Sequence, residues 1–267
     1  MRAYSFPLFV AANRPDRFAK AASAGTDTII IDFEDAVNAD DKVQARRLAA
    51  SALPFVGGAD IWLRVNGSDT EWHEEDVRLA RESGVAGIVL PKAESAAQIE
   101  ALRGALATGQ AVIALVESAG GIRSAYDIAE ASDRLIFGSI DFALDLNCQP
   151  TREACLMARS TLSVASRAAG ITAPLDGITT RIDDEILIRD DAAYASGLGF
   201  GGKILIHPKQ ISPARAGFGP PPEDVAWARK VLAAGEGGEA RAVDGEMVDA
   251  PVIERARSIV RRQEDFG

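Results

Sequence analysis

The chain has few of the residues that most often announce chemistry: two cysteines and two histidines in 267 positions. Cys148 and Cys155 are too few for a disulfide framework and lack the tight CxxC spacing of a metal or redox pair, so they read as free, packing thiols of a cytoplasmic protein. A surplus of positive charge is also missing. The net charge of −10 opposes general nucleic-acid binding, and any phosphate must be met by a local basic cluster. No apolar run approaches the ~20 residues that cross a bilayer, so no membrane partner is expected. The opening MRAYSFPLFVAANRP regains charge at Arg14 and Asp16 and does not read as a signal peptide. No GxGxxG follows the first strand-like run, which weakens an open, doubly wound nucleotide-binding sheet.

What is present suits one large α/β core. Hydrophobic residues make up 47% of the chain and charged residues 25%, and the length matches a closed βα barrel of about 250 residues. Strand-like runs recur at Ser5 to Val10, Thr28 to Ile31, Ile61 to Val65, Ala86 to Leu90, Ala111 to Val116, Leu135 to Phe137, Ala173 to Leu175 and Gly202 to Ile206. Helical stretches follow them, from Ala11 to Gly25 and at Asp41 to Ala52, Glu71 to Ser83, Ser95 to Leu106, Arg152 to Ala169, Asp184 to Ser196 and Glu223 to Ala234. The alternation predicts a closed (β/α)8 TIM-like barrel over residues 1–234. Residues 235–267 read as a tail, an extended piece around Asp244-Gly245 and a helix from about Pro251. That helix carries an apolar face (Val252, Ile253, Ala256, Ile259, Val260) that its own barrel or a neighbouring subunit must cover.

The charged strand ends carry the functional signal. The run QAVIALVESAGG ends its apolar stretch on Glu117, and RLIFGSID leads through Gly138 to Asp141. Ligands bind at the carboxyl ends of parallel strands, and two acids on adjacent ends suit a hard divalent cation such as magnesium. Both acids serve equally well as helix caps or surface charges. The third strand bears Arg64 and closes on Asn66-Gly67, and a cluster of Asp32, Glu34 and Asp35 closes the second. Arg14, Arg17 and Lys20 form a basic helix face, most simply a solvated one. His207, before Pro208, suits a structural or rim role. Asp249 is either the cap of the tail helix or a carboxylate brought to a barrel mouth.

The segments NRPDRF, DFEDAV, RVNG, LPKAES, LVESAGG, GSIDFALDL, GGKILIHPKQI and GEMVDAP, in this order, resemble the citrate lyase β-subunit branch of the HpcH/HpaI aldolase group, with malyl-CoA and citramalyl-CoA lyases among its relatives. The resemblance implies a TIM-like barrel, a trimer or hexamer, magnesium as cofactor, and a CoA thioester as substrate. It implies cleavage of a 3-hydroxyacyl-CoA into acetyl-CoA and a 2-oxo acid, or the reverse condensation. A β subunit acting on a carrier-bound citryl thioester and a non-catalytic, metal-holding assembly subunit are the alternatives. Carried over by motif, Glu117 and Asp141 bind the metal, while Glu34 and Asp35 hold its waters. Arg64 grips substrate oxygens, Phe9, Arg14 and Lys20 lie along the CoA entry, and Asp249 is an acid/base offered to an adjacent subunit. The chain departs from the pattern at Ala11-Ala12, where many members have Pro-Gly, at Asn147, where Gly is common, and in a shorter stretch after Cys148.

Overall fold

The computed structural model describes residues 5–235, 241–243 and 246–266. Eight parallel strands form one sheet in sequence order: β1 (Leu8–Ala11), β2 (Thr28–Asp32), β3 (Asp60–Arg64), β4 (Gly87–Leu90), β5 (Ala111–Val116), β6 (Arg134–Phe137), β7 (Thr172–Asp176) and β8 (Gly202–Lys203). The sheet is curled in the TIM-like manner. From Lys203 of β8 onward the chain hydrogen-bonds to β1 and the residues just before it: Lys203 N donates to Ser5 O, Leu205 N to Pro7 O, and Phe9 N to Leu205 O at 2.8–2.9 Å. Gly202 permits this approach, because a Cβ there would collide with the Ser5 carbonyl.

Side-chain parity divides the core. Ile30, Trp62, Val89, Ile113, Leu115, Ile136, Leu175 and Ile204 form one cluster inside the sheet, while Ile29, Ile31, Leu63, Ile88, Leu90, Val112 and Ala114 belong to a second cluster outside it, with residues of the surrounding helices. Both faces of each strand are therefore buried, which is why the strands are near-continuous apolar runs rather than alternating ones. Register keeps the inner set level: Ile30 pairs with Trp62, and Trp62 with Gly87, whose missing side chain leaves room for the indole. Between β6 and β7 the register slips, so that Arg134 to Ile136 faces Thr172 to Leu175. This extra residue resets the parity of β7.

The crossovers hold α1 (Phe18–Ala22), α2 (Lys42–Ala52), α3 (His73–Glu82), α4 (Ala96–Ala105), α5 (Ala119–Arg123), α6 (Ala125–Ala131), α7 (Ser139–Asp145), α8 (Arg152–Ala168), α9 (Glu185–Gly197), α10 (Ile211–Phe218) and α11 (Pro222–Gly235). Three departures from the sequence reading matter. The helix expected from Ala11 is a 3-10 turn, Pro15–Arg17, followed by only five residues of α1. Asp141 sits in the first turn of α7 rather than on a strand end. An unexpected helix, α10, follows the HPKQ turn and carries Pro213 in its first turn, where proline costs no helical hydrogen bond.

In the tail, β9 (Arg241–Val243) pairs antiparallel with β10 (Glu246–Val248), and α12 (Ala250–Phe266) follows. The apolar face of α12 is covered within the chain, since Val252, Ile253, Ala256, Ile259 and Val260 join Val225, Ala228 and Val231 of α11. At its end, Phe266 meets Phe6 edge-on and Phe218 at a tilt, with ring centroids 5.8 and 5.9 Å away. The expected turn at Asp244-Gly245 and residues 236–240 lie outside the described residues. Among the described residues no helix is long and apolar enough to cross a membrane.

Candidate functional site

Continuing the inner parity by one step past the apolar cluster places charge at the carboxyl ends of the strands. Ile30 leads to Asp32, Trp62 to Arg64 and Leu115 to Glu117, each two residues on and therefore on the same face. These ends line a cavity of about 730 Å3, together with Phe9, Asp35, Asp141, Ile178, Ile204 and His207.

Arg64 is the best-anchored group. Asp32, its register partner in β2, takes Nε at 2.7 Å and Nη2 at 2.6 Å in a bidentate grip. Asp32 itself is fixed by the backbone N–H groups of Glu34 and Ala36 at 2.9 and 3.1 Å. Nη1 remains, 3.0 Å from Glu34 and 3.4 Å from Asp35, and the guanidinium lies 4.7 Å from the Phe9 ring centroid. Burial disfavours the charge, but Asp32, Glu34 and Asp35 outweigh it and raise the Arg64 pKa. The loop bearing these acids is tied down by Lys42, which donates to the carbonyls of Phe33 and Glu34 at 2.7 and 2.8 Å. The loop after Arg64 is held where Asn66 donates its backbone and side-chain N–H groups to buried Asp76 at 3.0 and 2.6 Å.

Glu117 is buried, and among the described residues it takes one hydrogen bond, from the Lys92 backbone N–H at 2.8 Å. Burial pushes its carboxyl up to about 8; the Lys92 N–H opposes this, and nearby Asp141 and Glu34 add to the rise. Gly138 is required beside it, because a Cβ there would come within 2.5 Å of Glu117 Oε2. Among the described residues no hydrogen bond engages the Asp141 carboxylate. Two carboxylates at one cavity, one starved of hydrogen bonds, form an oxygen-donor set that a hard divalent cation fits. Among the described residues no three histidine, cysteine, aspartate or glutamate side chains converge as a cage. A cation here would complete its shell from water and ligand, as magnesium commonly does.

The structure brings Phe9, Lys20, Asp35, Arg64, Glu117 and Asp141 to one cavity. Glu34 is buried beside it, between Arg64 and the Lys92 ammonium at 2.9 Å, and burial raises its pKa. Arg14 does not line the cavity. It forms a two-point ion pair with Asp16 at 2.8 and 3.0 Å, and the 3-10 turn rotates Arg17 into the place beside Lys20. Asp249 does not line this cavity either, and its Oδ1 accepts the Val252 N–H at 3.2 Å as the cap of α12. Sequence reasoning listed Asp32, and Lys92 within LPKAES, without giving either a role. A signal for Lys92 was its place immediately after a strand-ending proline. Its φ of +52° is a left-handed backbone uncommon outside glycine, and it points the N–H at Glu117. Asn147, the departure from a common glycine, takes φ +53°, a left-handed backbone that asparagine adopts more readily than most residues.

A model of the HpcH/HpaI aldolase/citrate lyase family matches residues 5–208. The citrate lyase subunit beta of Leuconostoc mesenteroides subsp. cremoris is 33% identical over 95% of this chain and 91% of its own length. A (3S)-malyl-CoA thioesterase of Cereibacter sphaeroides is 34% identical, covering 96% and 91%. Among solved structures, the CitE protein of Mycobacterium tuberculosis in complex with magnesium, acetoacetate and coenzyme A superimposes with a TM-score of 0.88 at 34% identity, covering 99% of this chain and all of that one.

Proposed function

Because this chain belongs to the HpcH/HpaI aldolase/citrate lyase family of enzymes, we propose that it is a magnesium-dependent carbon–carbon lyase cleaving a citramalyl-CoA or malyl-CoA type of 3-hydroxyacyl thioester into acetyl-CoA and a 2-oxo acid, or running the reverse condensation. The observation that carries this reading is the buried Glu117 carboxylate and its neighbour Asp141 sharing one cavity with a clamped Arg64. The M. tuberculosis relative, crystallised with magnesium, acetoacetate and coenzyme A, supports the ligand classes.

Bound between Glu117 and Asp141, magnesium would supply positive charge to the oxygens of the acyl group and make the hydroxyl more acidic. Arg64 orients the acyl carboxylate through Nη1, since Asp32 occupies its other edge. Glu34 and Asp35 hold water on the metal side. Breaking the carbon–carbon bond passes the hydroxyl proton to the water held by Glu34 and Asp35 and moves the bond's electron pair onto the acetyl carbon, where the thioester carbonyl spreads it. A carboxylic acid must then deliver a proton to that carbon. In this reading Asp249 of an adjacent copy in a trimer or hexamer is that acid, which accords with its absence from its own chain's cavity. Lys20 with Phe9 receives the CoA, and Arg14 stands further out at the entry. The sheet works as a closed barrel, a reading supported by the three hydrogen bonds from the β8 side to residues 5–9, with residues 1–234 as the catalytic unit and 235–267 as the tail. The Leuconostoc relative supports a second reading, a β subunit acting on a carrier-bound thioester.

The test is a panel of free 3-hydroxyacyl-CoA thioesters assayed for acetyl-CoA release with and without magnesium. Magnesium-dependent release of acetyl-CoA and an oxo acid supports the lyase. Release of free CoA alone replaces it with a thioesterase, and inertness toward every free thioester replaces it with the carrier-dependent subunit.

A further inference from the structure

We propose that His207 is a hydrogen-bond donor to a carbonyl oxygen of the pantetheine arm of the CoA thioester; this rests on the reading of the cavity as a CoA-thioester site. His207 lines the cavity, and its Nδ1 accepts the backbone N–H of Lys209 at 3.2 Å. A neutral imidazole that accepts at Nδ1 carries its proton on Nε2. Among the described residues Nε2 has no partner.

The turn is built to hold this ring. Gln210, only 1% exposed, uses its whole amide as a brace. Its Oε1 accepts the N–H groups of Ile206 at 2.9 Å and His207 at 3.2 Å. Its Nε2 donates to the carbonyls of Thr179 at 2.8 Å and Arg181 at 3.1 Å. A buried side chain with both donors and its acceptor engaged fixes its surroundings, because any shift would strand a polar group. The backbone of His207 is thus tied to the loop after β7 as well as to its own turn.

Position selects the ligand group. Leu205, two residues earlier, accepts the Phe9 N–H at 2.8 Å, so His207 stands at the β1 side of the cavity, where Arg17 and Lys20 also face in. The cavity wall next to it is apolar, made of Ile178, Ile204, Ile206 and Pro208. An uncharged N–H donor in an apolar wall suits an uncharged acceptor, and the amide and thioester carbonyls between the CoA phosphates and the acyl group have that chemistry. The acyl carboxylate has a better partner in Arg64.

The other histidine supplies an internal control. His73 Nδ1 lies 2.8 Å from the Asn66 carbonyl, an acceptor only, so that ring donates from Nδ1, where His207 accepts. Rings that differ in the role of Nδ1 give separable nitrogen spectra in the full-length, histidine-labelled protein. Titration with coenzyme A is expected to move the His207 Nε2–H resonance and leave His73 in place. His207→Asn, whose oxygen can still accept the Lys209 N–H, removes the outer donor and is expected to weaken coenzyme A binding about 3–10-fold, the loss of one neutral hydrogen bond. His207→Gln, which can again present an N–H at the longer reach, is expected to recover part of that loss. If the wild type binds coenzyme A while the His207 resonance stays fixed and His207→Asn binds equally well, the proposal is overturned and the CoA reading stands. If the wild type binds no coenzyme A, both fall. The wild-type shift needs no variant to fold.

Discussion

Two buried ion-pair systems stand near the carboxyl ends of the strands and differ in one structural respect, the parity of the acid. Asp32 comes two residues after inward-facing Ile30, so its partner Arg64 lines the cavity with Nη1 held only by more distant acids. Asp176 comes one residue after inward-facing Leu175 and so faces the helices. There Arg159 of α8 meets it at 2.8 Å and Lys203 at 3.2 Å, and Lys203 also donates to the Gly177 carbonyl. None of these three lines the cavity. One pairing offers a charge to a ligand, and the other spends its charges on itself. Composition alone cannot separate them, because both are an acid with two or more charged neighbours, almost fully buried.

The comparison is broken most forcefully at the inner system. Glu117→Gln and Asp141→Asn are each expected to lower kcat/KM by on the order of 10^3 or more, since each removes a charge that would hold the cation. Calorimetry should show magnesium binding lost in both, with the melting temperature kept or, for Glu117→Gln, raised. Unchanged magnesium affinity in both variants would remove the metal assignment. At the outer system the expected loss is of stability instead. Asp176→Ala leaves Arg159 and Lys203 facing each other in a buried layer and is expected to cost about 3–5 kcal/mol, measured by denaturant unfolding, with magnesium affinity retained in the folded fraction. Equal loss of magnesium affinity would erase the distinction between the two systems.

Their pH responses should run in opposite directions. The Glu117 carboxyl is raised to about 8. Between its unfolded pKa near 4.5 and that value, the folded chain keeps a proton that the unfolded chain has released, so stability falls as pH rises. Melting of the metal-free chain from pH 5 to 8 is expected to show wild type losing ground against Glu117→Gln. A constant difference between them would mean that the carboxylate is already charged. Burial works against the Asp176 charge, but Lys203 and Arg159 overcome it and hold the carboxyl below its usual 3.8. Its stabilisation is complete at higher pH and is lost only as pH falls through that lower range, so it contributes no slope between 5 and 8.

Much of this arrangement was legible. The eight-fold alternation predicted the strand order, and Asp32, Arg64 and Glu117 fall at or just after the ends of β2, β3 and β5 because apolar runs fix parity wherever both strand faces are buried. Three features were hidden for physical reasons. The Asp32–Arg64 grip joins residues 32 positions apart and depends on strand register, which no local pattern records. Asp176 owes its outward direction to the slip between β6 and β7, so counting by twos from β6 misplaces it. The left-handed Lys92 backbone carries no compositional flag, since lysine is an ordinary surface residue. Of the two roles the sequence offered Asp249, the structure displays the cap on α12, and the acid/base role in a second copy of the chain belongs to the proposed function.

The smallest effect is expected at the cavity entry, where a single turn of backbone decides which cations would meet the phosphates of the proposed CoA ligand. Spaced three apart, Arg14, Arg17 and Lys20 would share one face of a continuous α-helix, most simply a solvated one, and the family resemblance offered Arg14 as a CoA contact. Pro15 instead opens a 3-10 turn and α1 begins only at Phe18, so the three do not share a face. Arg14 is spent on Asp16, whose hydrogen bond raises its pKa and lowers that of the acid. Arg17 and Lys20 line the cavity. Replacing either by alanine is expected to raise KM for the thioester several-fold with little change in kcat, because a contact made equally in ground and transition states acts on binding. Arg14→Ala should leave KM within about twofold, as exposed ion pairs contribute little. The two kinds of variant also separate by salt: added salt should raise the wild-type KM, and less so in Arg17→Ala and Lys20→Ala, since each has lost a phosphate-facing charge to screen. A KM that rises in Arg14→Ala and not in Arg17→Ala would mean that the ion pair with Asp16 opens when the thioester binds, and would return the entry to the arrangement first suggested by the sequence.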